Sequence, residues 1–101
     1  MNITFTARHG RAPDDIREHA EKEVNRLKRY FDGIIDCNII LDYEKKYKIV
    51  EINIHVFGMV LSAEERSEDT HKAINNVIEK LERKLKKYKE KKRTHTRKKT
   101  A

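Results

Sequence analysis

Five cations, Lys80, Arg83, Lys84, Lys87 and Lys91, recur at spacings that a helix gathers on one side. At 3.6 residues per turn they fall within about 100° of each other. Leu81 and Leu85 lie roughly opposite, so the basic stripe faces outward when those leucines pack inward. Such a row can meet several phosphates of a folded nucleic acid. Its affinity would come largely from counterion release and would carry little sequence information. The competing reading is a solvated face that only keeps the chain soluble. Glu79 with Arg83 and Glu82 with Lys86 have the i, i+4 spacing of ordinary helix pairs. Those acids leave most of the stripe without a partner, which favours binding.

A second, sparser stripe joins Lys22, Arg26 and Arg29, opposite Ile16, Ala20, Val24 and Leu27. Glu18 has the spacing to pair with Lys22, so alone this stripe decides nothing. Two helices side by side, with axes about 8–10 Å apart, would turn both stripes to one side and form a platform for structured RNA. Arg93, Arg97, Lys98 and Lys99 add a basic tail, for which contact and simple lack of order are equal readings. Aromatic rings for base stacking are scarce. There is no Trp; Phe5, Phe31 and Tyr88 fit core positions, and Tyr30, Tyr47 and Phe57 form no stacking motif. Recognition by shape and backbone is the expectation.

Catalysis finds no support. His9, His19, His55, His71 and His95 lack metal-ligand spacing, and the lone Cys37 alternates with apolar residues as core does. Asp14-Asp15 and Glu64-Glu65 suit a helix start and a strand end better than acid–base work. Gly10, Gly33 and Gly58 mark turns, and no glycine loop for phosphate is present. The chain is therefore expected to be no enzyme and to need no cofactor, metal or small-molecule substrate.

Charge distribution sharpens this reading. The chain has 101 residues, enough for one domain with a modest core, and 41% of them are charged against 37% hydrophobic. The net charge of +7 is uneven: Lys80 to Lys99 holds twelve Lys or Arg against Glu82 and Glu90, a balance of +10, leaving −3 elsewhere. A cationic end on a mildly acidic body points to a directed contact with a polyanion. No signal-peptide pattern opens the chain and no apolar run approaches the ~20 residues of a membrane span. With one cysteine, a reducing cytoplasm is the expected compartment.

The elements that must position these groups follow from periodicity. Asn2–Arg8 alternates as a first strand. Pro13 opens a helix with Asp14 and Asp15 in its first turn, its apolar stripe runs from Ile16 to Phe31, and Asp32-Gly33 closes it with a left-handed cap. Cys37, Ile39, Leu41 and Tyr43 form one face of a strand over 36–44. Glu44-Lys45-Lys46 connects without a sharp turn signature. Tyr47–Phe57 alternates with Val50, Ile52, Ile54 and Val56 inward, Gly58 turns, and Met59, Leu61 and Ala63 mark the inner face of a fourth strand. Ser67 is the expected N-cap of a helix from Glu68 to about Lys92, with Ile74, Val77, Ile78, Leu81, Leu85 and Tyr88 as its apolar stripe. The order β-α-β-β-β-α predicts an α+β domain over residues 1–92. Two helices pack on one face of a four-stranded sheet, the first two strands are parallel, and a disordered basic tail covers 93–101.

Residues 1 to 92 resemble the short ribosome hibernation-promoting factors, the family that includes the ribosome-associated inhibitor protein Y. The likeness lies in Ile16-Arg17-Glu18-His19 through Leu27-Lys28-Arg29-Tyr30-Phe31 and in Ile39-Ile40-Leu41. It is strongest in Ser67-Glu68-Asp69-Thr70-His71-Lys72-Ala73-Ile74, followed by Ile78-Glu79-Lys80-Leu81-Glu82-Arg83-Lys84-Leu85-Lys86-Lys87-Tyr88-Lys89. The resemblance implies binding to the small ribosomal subunit and its 16S rRNA in the decoding region, across the tRNA A and P sites and the mRNA channel. It implies inhibition of translation in stress or stationary phase, by a monomer when free. By position, the rRNA-facing cations would be Lys22, Arg26, Arg29, Lys80, Arg83, Lys84, Lys87 and Lys91. The tail departs from protein Y, whose extension is acidic, and this favours the branch that promotes ribosome dimers. Long members add a dimerising domain that this sequence does not match. A general structured-RNA binder and a basic-helix adaptor for an acidic protein are the alternatives.

Overall fold

The computed structural model describes residues 1–91 in full and 92–100 by backbone alone; the side chains of 92–100 and all of residue 101, the stretch in which the expected disordered tail over 93–101 falls, lie outside the described residues. The elements are β1 (Asn2–Arg8), α1 (Asp14–Tyr30), β2 (Asp36–Glu44), β3 (Tyr47–Val56), β4 (Met59–Ser67) and α2 (Thr70–Thr100). The sheet order is β1-β2-β3-β4, so β1 and β4 are its edges. β1 and β2 run parallel, as a connection through a helix requires, and the rest is antiparallel.

Alternation fixes the packing. On β2 and β3, Cys37, Ile39, Leu41, Val50, Ile52, Ile54 and Val56 are buried, while intervening residues such as Asn38, Glu51 and His55 are not. One face of the sheet is therefore apolar. It is closed by Ile16, Ala20, Val24 and Leu27 of α1 and by Ala73, Ile74, Val77, Ile78, Leu81 and Leu85 of α2, all in one cluster. Burying each large aliphatic side chain contributes about 1.5–3 kcal/mol, which is what holds both helices to the same face. Among the described residues no polar or charged side chain is buried, so every cation is on the surface.

Four local expectations need correction. The cap of α2 is Asp69, not Ser67: the Asp69 carboxylate accepts from the N–H of His71 at 3.0 Å and of Lys72 at 3.4 Å. Ser67 still belongs to β4, and its hydroxyl accepts from the Asp69 N–H at 3.1 Å, so it supports the cap. Helix α1 ends at Tyr30, with Phe31 extended as its C-cap, and Gly33 is not left-handed. A side chain at Gly33 would instead meet the Phe31 ring at 2.6 Å, so close approach explains that glycine. The link after β2 is a tight two-residue turn, Lys45-Lys46, in which Lys45 takes the left-handed φ of 58° without being Gly or Asn. That choice hides the turn from a sequence reading. Finally, Met59 is exposed at the hairpin tip, and only Leu61 and Ala63 of β4 reach the core.

Candidate nucleic-acid interface

The two helices meet along a polar seam. The His71 ring hydrogen-bonds the Asp15 carboxylate at 3.4 Å, His19 bonds Asn75 at 2.7 Å, and Arg26 pairs with Glu82 at 2.6 Å. Each partner lies 56 residues on (71 − 15, 75 − 19, 82 − 26), so α1 and α2 run parallel and in register. Further along, the Lys89 ammonium sits 4.5 Å over the Tyr30 ring, which continues the seam and contributes a cation–π contact. Arg26 also bonds Glu23 at 3.3 Å. That hydrogen bond is the main cause of its raised pKa, with burial opposing it and Glu82 reinforcing it.

With the seam on one side of α2, its opposite flank overhangs the edge strand β4. Lys80 pairs with Glu65 at 3.0 Å and donates to the Glu64 carbonyl at 3.3 Å. Lys84 donates to the Ser62 carbonyl. At 3.6 residues per turn, Lys87 and Lys91 fall on this same flank, within about 60° of both. Arg83 stands on the crest between flank and seam, bonded to Glu79 at 2.8 Å.

The structure thus sorts the eight cations into three settings. Arg26 is drawn into the seam. Lys80 and Arg83 are exposed but carry carboxylate partners, and Lys84 is held by a carbonyl. Among the described residues, Lys22, Arg29, Lys87 and Lys91 are exposed and have no carboxylate in ion-pair contact. The expected single platform is split: the α2 stripe faces away from α1, with the crest and seam between it and the α1 cations. Periodicity gives the angle between two stripes only within one helix. The twist of α2 relative to its neighbour appears only once the seam pairs are seen.

Sequence reasoning passed over Lys86 and Lys89, which with Tyr30 and Glu90 line a shallow depression at the seam's end. Their signal was the same i, i+3 spacing, but they sit on the α1 side of α2, where charge was not sought. The catalytic candidates are not gathered. Cys37 is buried, and burial, helped by Asp36, pushes its thiol up to about 12, so it is no thiolate nucleophile near neutral pH. Among the described residues no group of three or more His, Cys, Asp or Glu is placed to hold a metal ion. None of the described helices is long and apolar enough to cross a membrane.

A four-stranded mixed sheet carrying two parallel helices defines a class already seen in solved structures. A ribosomal subunit interface protein from Coxiella burnetii superimposes with a TM-score of 0.83 at 32% identity, covering 88% of this chain and 98% of that one. The N-terminal domain of Thermus thermophilus Protein Y does so at 0.79 and 31%, covering 87% and 99%. Residues 3–93 match the model of the Sigma 54 modulation protein / S30EA ribosomal protein family, and the chain belongs to that family. A curated relative, the ribosome hibernation promoting factor of Azotobacter vinelandii, is 33% identical over 91 residues, 90% of this chain and 85% of that protein.

Proposed function

We propose that this chain binds the decoding region of the small ribosomal subunit, across the tRNA A and P sites and the mRNA channel, and silences translation in stressed or stationary cells. The observation that carries the reading is the set Lys22, Arg29, Lys87 and Lys91: outward cations that the fold does not neutralise, on a domain of this family. Each can exchange a condensed counterion for a phosphate, so affinity should fall steeply with salt. Lys80, Arg83 and Lys84 join them if RNA phosphates displace Glu65, Glu79 and the Ser62 carbonyl. These are exposed contacts and cost little to break. The surface of a small subunit supplies 16S rRNA in a fixed shape, which suits a contact made mainly through backbone charge. No chemical step is involved; the protein acts by occupying the path of tRNA and mRNA.

The test is sedimentation of the full chain with purified small subunits, with naked duplex RNA, and alone. Pelleting with subunits at moderate salt, and displacement by tRNA, is the expected result. A chain that stays in the supernatant with subunits would sink the proposal, and equal retention by duplex RNA would reduce it to general RNA binding. Replacing Lys80, Arg83, Lys84 and Lys87 with Ala should weaken binding and flatten its salt dependence. Promotion of ribosome dimers belongs to the same proposal, and growth of a dimer peak on adding the protein is its readout.

A further inference from the structure

The β1–α1 loop brings another pair of cations to the far edge of the sheet from the α2 flank. Arg11 lies on that loop and Arg17 in the first turn of α1. At about 100° per residue, Arg17 points away from the seam residues Asp15, His19 and Arg26, and so stands over the edge strand β1. There its guanidinium carbon lies 5.4 Å from the centroid of the Phe5 ring. Arg11, Asp14 and Arg17 are the polar lining of an open cleft of about 540 Å³, and Phe5, Ala7, Ala12 and Pro13 are its apolar wall.

The loop is fastened at three points. His9 takes a left-handed φ of 58°, and its ring hydrogen-bonds the Asp42 carboxylate at 2.8 Å. Gly10 lies against Tyr43, where a Cβ would meet the ring at 2.6 Å. The Tyr43 hydroxyl then donates to the Arg11 carbonyl at 2.6 Å. The backbone that carries Arg11 is thus set before any ligand arrives, which lowers the ordering cost of binding. The two arginines are not neutralised from within. Asp15 is bonded to His71 and Asp42 to His9, and among the described residues neither Arg11 nor Arg17 has a carboxylate in ion-pair contact.

A guanidinium stacked on a ring keeps its fork of N–H donors in one plane, matched to the oxygens of a phosphate. The apolar wall beside it suits a flat heterocycle, as small-molecule sites usually do. Asp14, the one acid of the lining, can accept from a sugar hydroxyl and would repel a ligand rich in carboxylates. Phosphate, ring and hydroxyl together describe a ribonucleotide. An acidic peptide offers only the charge.

We propose that the cleft between β1 and the start of α1 binds a ribonucleoside phosphate. Arg11 and Arg17 hold the phosphate, the base lies along the Phe5–Pro13 wall, and Asp14 accepts from the ribose. The nucleotide arrives either free or as one unit of an RNA strand. The site is separate from the α2 flank and does not rest on the ribosome-binding reading.

The test is an NMR titration of the isotopically labelled full chain. Adenosine 5′-monophosphate should shift the amide signals of Ala7, Arg11, Ala12 and Arg17 and saturate them. Inorganic phosphate should act more weakly, and polyglutamate should leave them in place. Arg11→Gln and Arg17→Gln should each weaken the nucleotide about tenfold, the loss expected for a hydrogen bond to a charged group. Arg17→Lys should weaken it too, because an ammonium lacks the fork. The 2′-deoxy nucleotide should bind less tightly, and Asp14→Asn should erase that difference. Replacing Lys84, Lys87 and Lys91 with Ala should change none of this. A 5′-phosphorylated oligoadenylate that takes the same signals more tightly than the mononucleotide assigns the cleft to an RNA strand; weaker binding assigns it to a free nucleotide. No saturable shift with either overturns the proposal, as does nucleotide affinity that survives loss of both arginines. An equal response to inorganic phosphate overturns it in favour of a simple anion site, and an equal response to polyglutamate in favour of an acidic peptide. Sedimentation with small subunits is read separately, so either reading can fail without the other.

Discussion

The seam between α1 and α2 and the flank of α2 above β4 use the same kinds of side chain to opposite ends. In the seam, polar side chains are answered from within the protein: Arg26 by Glu23 and Glu82, His71 by Asp15, His19 by Asn75. On the flank, Lys80 and Lys84 rest on exposed β4 groups, and Lys87 and Lys91 have no carboxylate in ion-pair contact among the described residues. A basic residue is therefore not a binding residue by type. It becomes available when its neighbours leave its charge unanswered. The seam aligns the helices, and the flank is left for a ligand.

The largest expected effect tests what both regions stand on. Leu81 is fully buried between them, and Leu81→Ala should cost about 2–5 kcal/mol of stability, read as a lower urea midpoint with an unchanged slope. Next, Lys84, Lys87 and Lys91 replaced together by Ala should weaken subunit binding by roughly 100-fold at 0.1 M salt, at about one decade or less per lost phosphate contact, with little change in melting temperature. Arg26→Ala should do the reverse, losing less than about 1 kcal/mol of stability and only a few-fold in binding. If the two variants lost equal affinity, seam and flank would not differ as argued. Glu82→Gln is a finer probe: it releases one partner of Arg26 and removes a negative charge, so subunit affinity should rise a few-fold while stability slips slightly.

The smallest effects concern pH. The hydrogen bond from His9, then that from the Tyr43 N–H, holds the Asp42 carboxyl below its usual 3.8. A carboxylate lowered in this way stabilises the fold above that value and loses its contribution as pH falls through the lowered one. Asp42→Asn should therefore make acid unfolding slightly less steep at the low end. Cys37 works in the other direction. Its thiol is raised from 9.0 to about 12, so its share of stability is intact below pH 9 and is lost between there and 12. Iodoacetamide at pH 8 should leave the native thiol unmodified and label it rapidly in guanidinium.

Most of the architecture was legible because period two and period 3.6 are local signals. Alternation in Asp36–Glu44 and Tyr47–Val56 located β2 and β3, and the stripe Ile16, Ala20, Val24, Leu27 located α1 and its buried side. What stayed hidden depended on conformations and contacts that periodicity does not encode. Gly33 looked like a left-handed cap because its place after the helix suits one, and periodicity does not say that the Phe31 ring two residues earlier folds over it. Lys45 concealed a tight turn by taking a glycine-like conformation. The cationic positions were readable one by one, but not that Arg26 would be claimed by Glu82 from another helix. The Tyr88 bond that ties α2 to the β3–β4 hairpin was likewise hidden, because it spans 31 residues.

The reach of Lys80 and Lys84 onto the carbonyls of Glu64 and Ser62 has a consequence for life at high concentration. β4 is an outer strand, and the bare carbonyls of such a strand are a template on which another chain can lay a strand of its own. Two ammonium groups seated on those acceptors leave fewer of them open to such a strand. Drawing the same lysines onto a ligand would bare those acceptors again, so the flank that meets a ligand and the edge open to a second strand share two side chains.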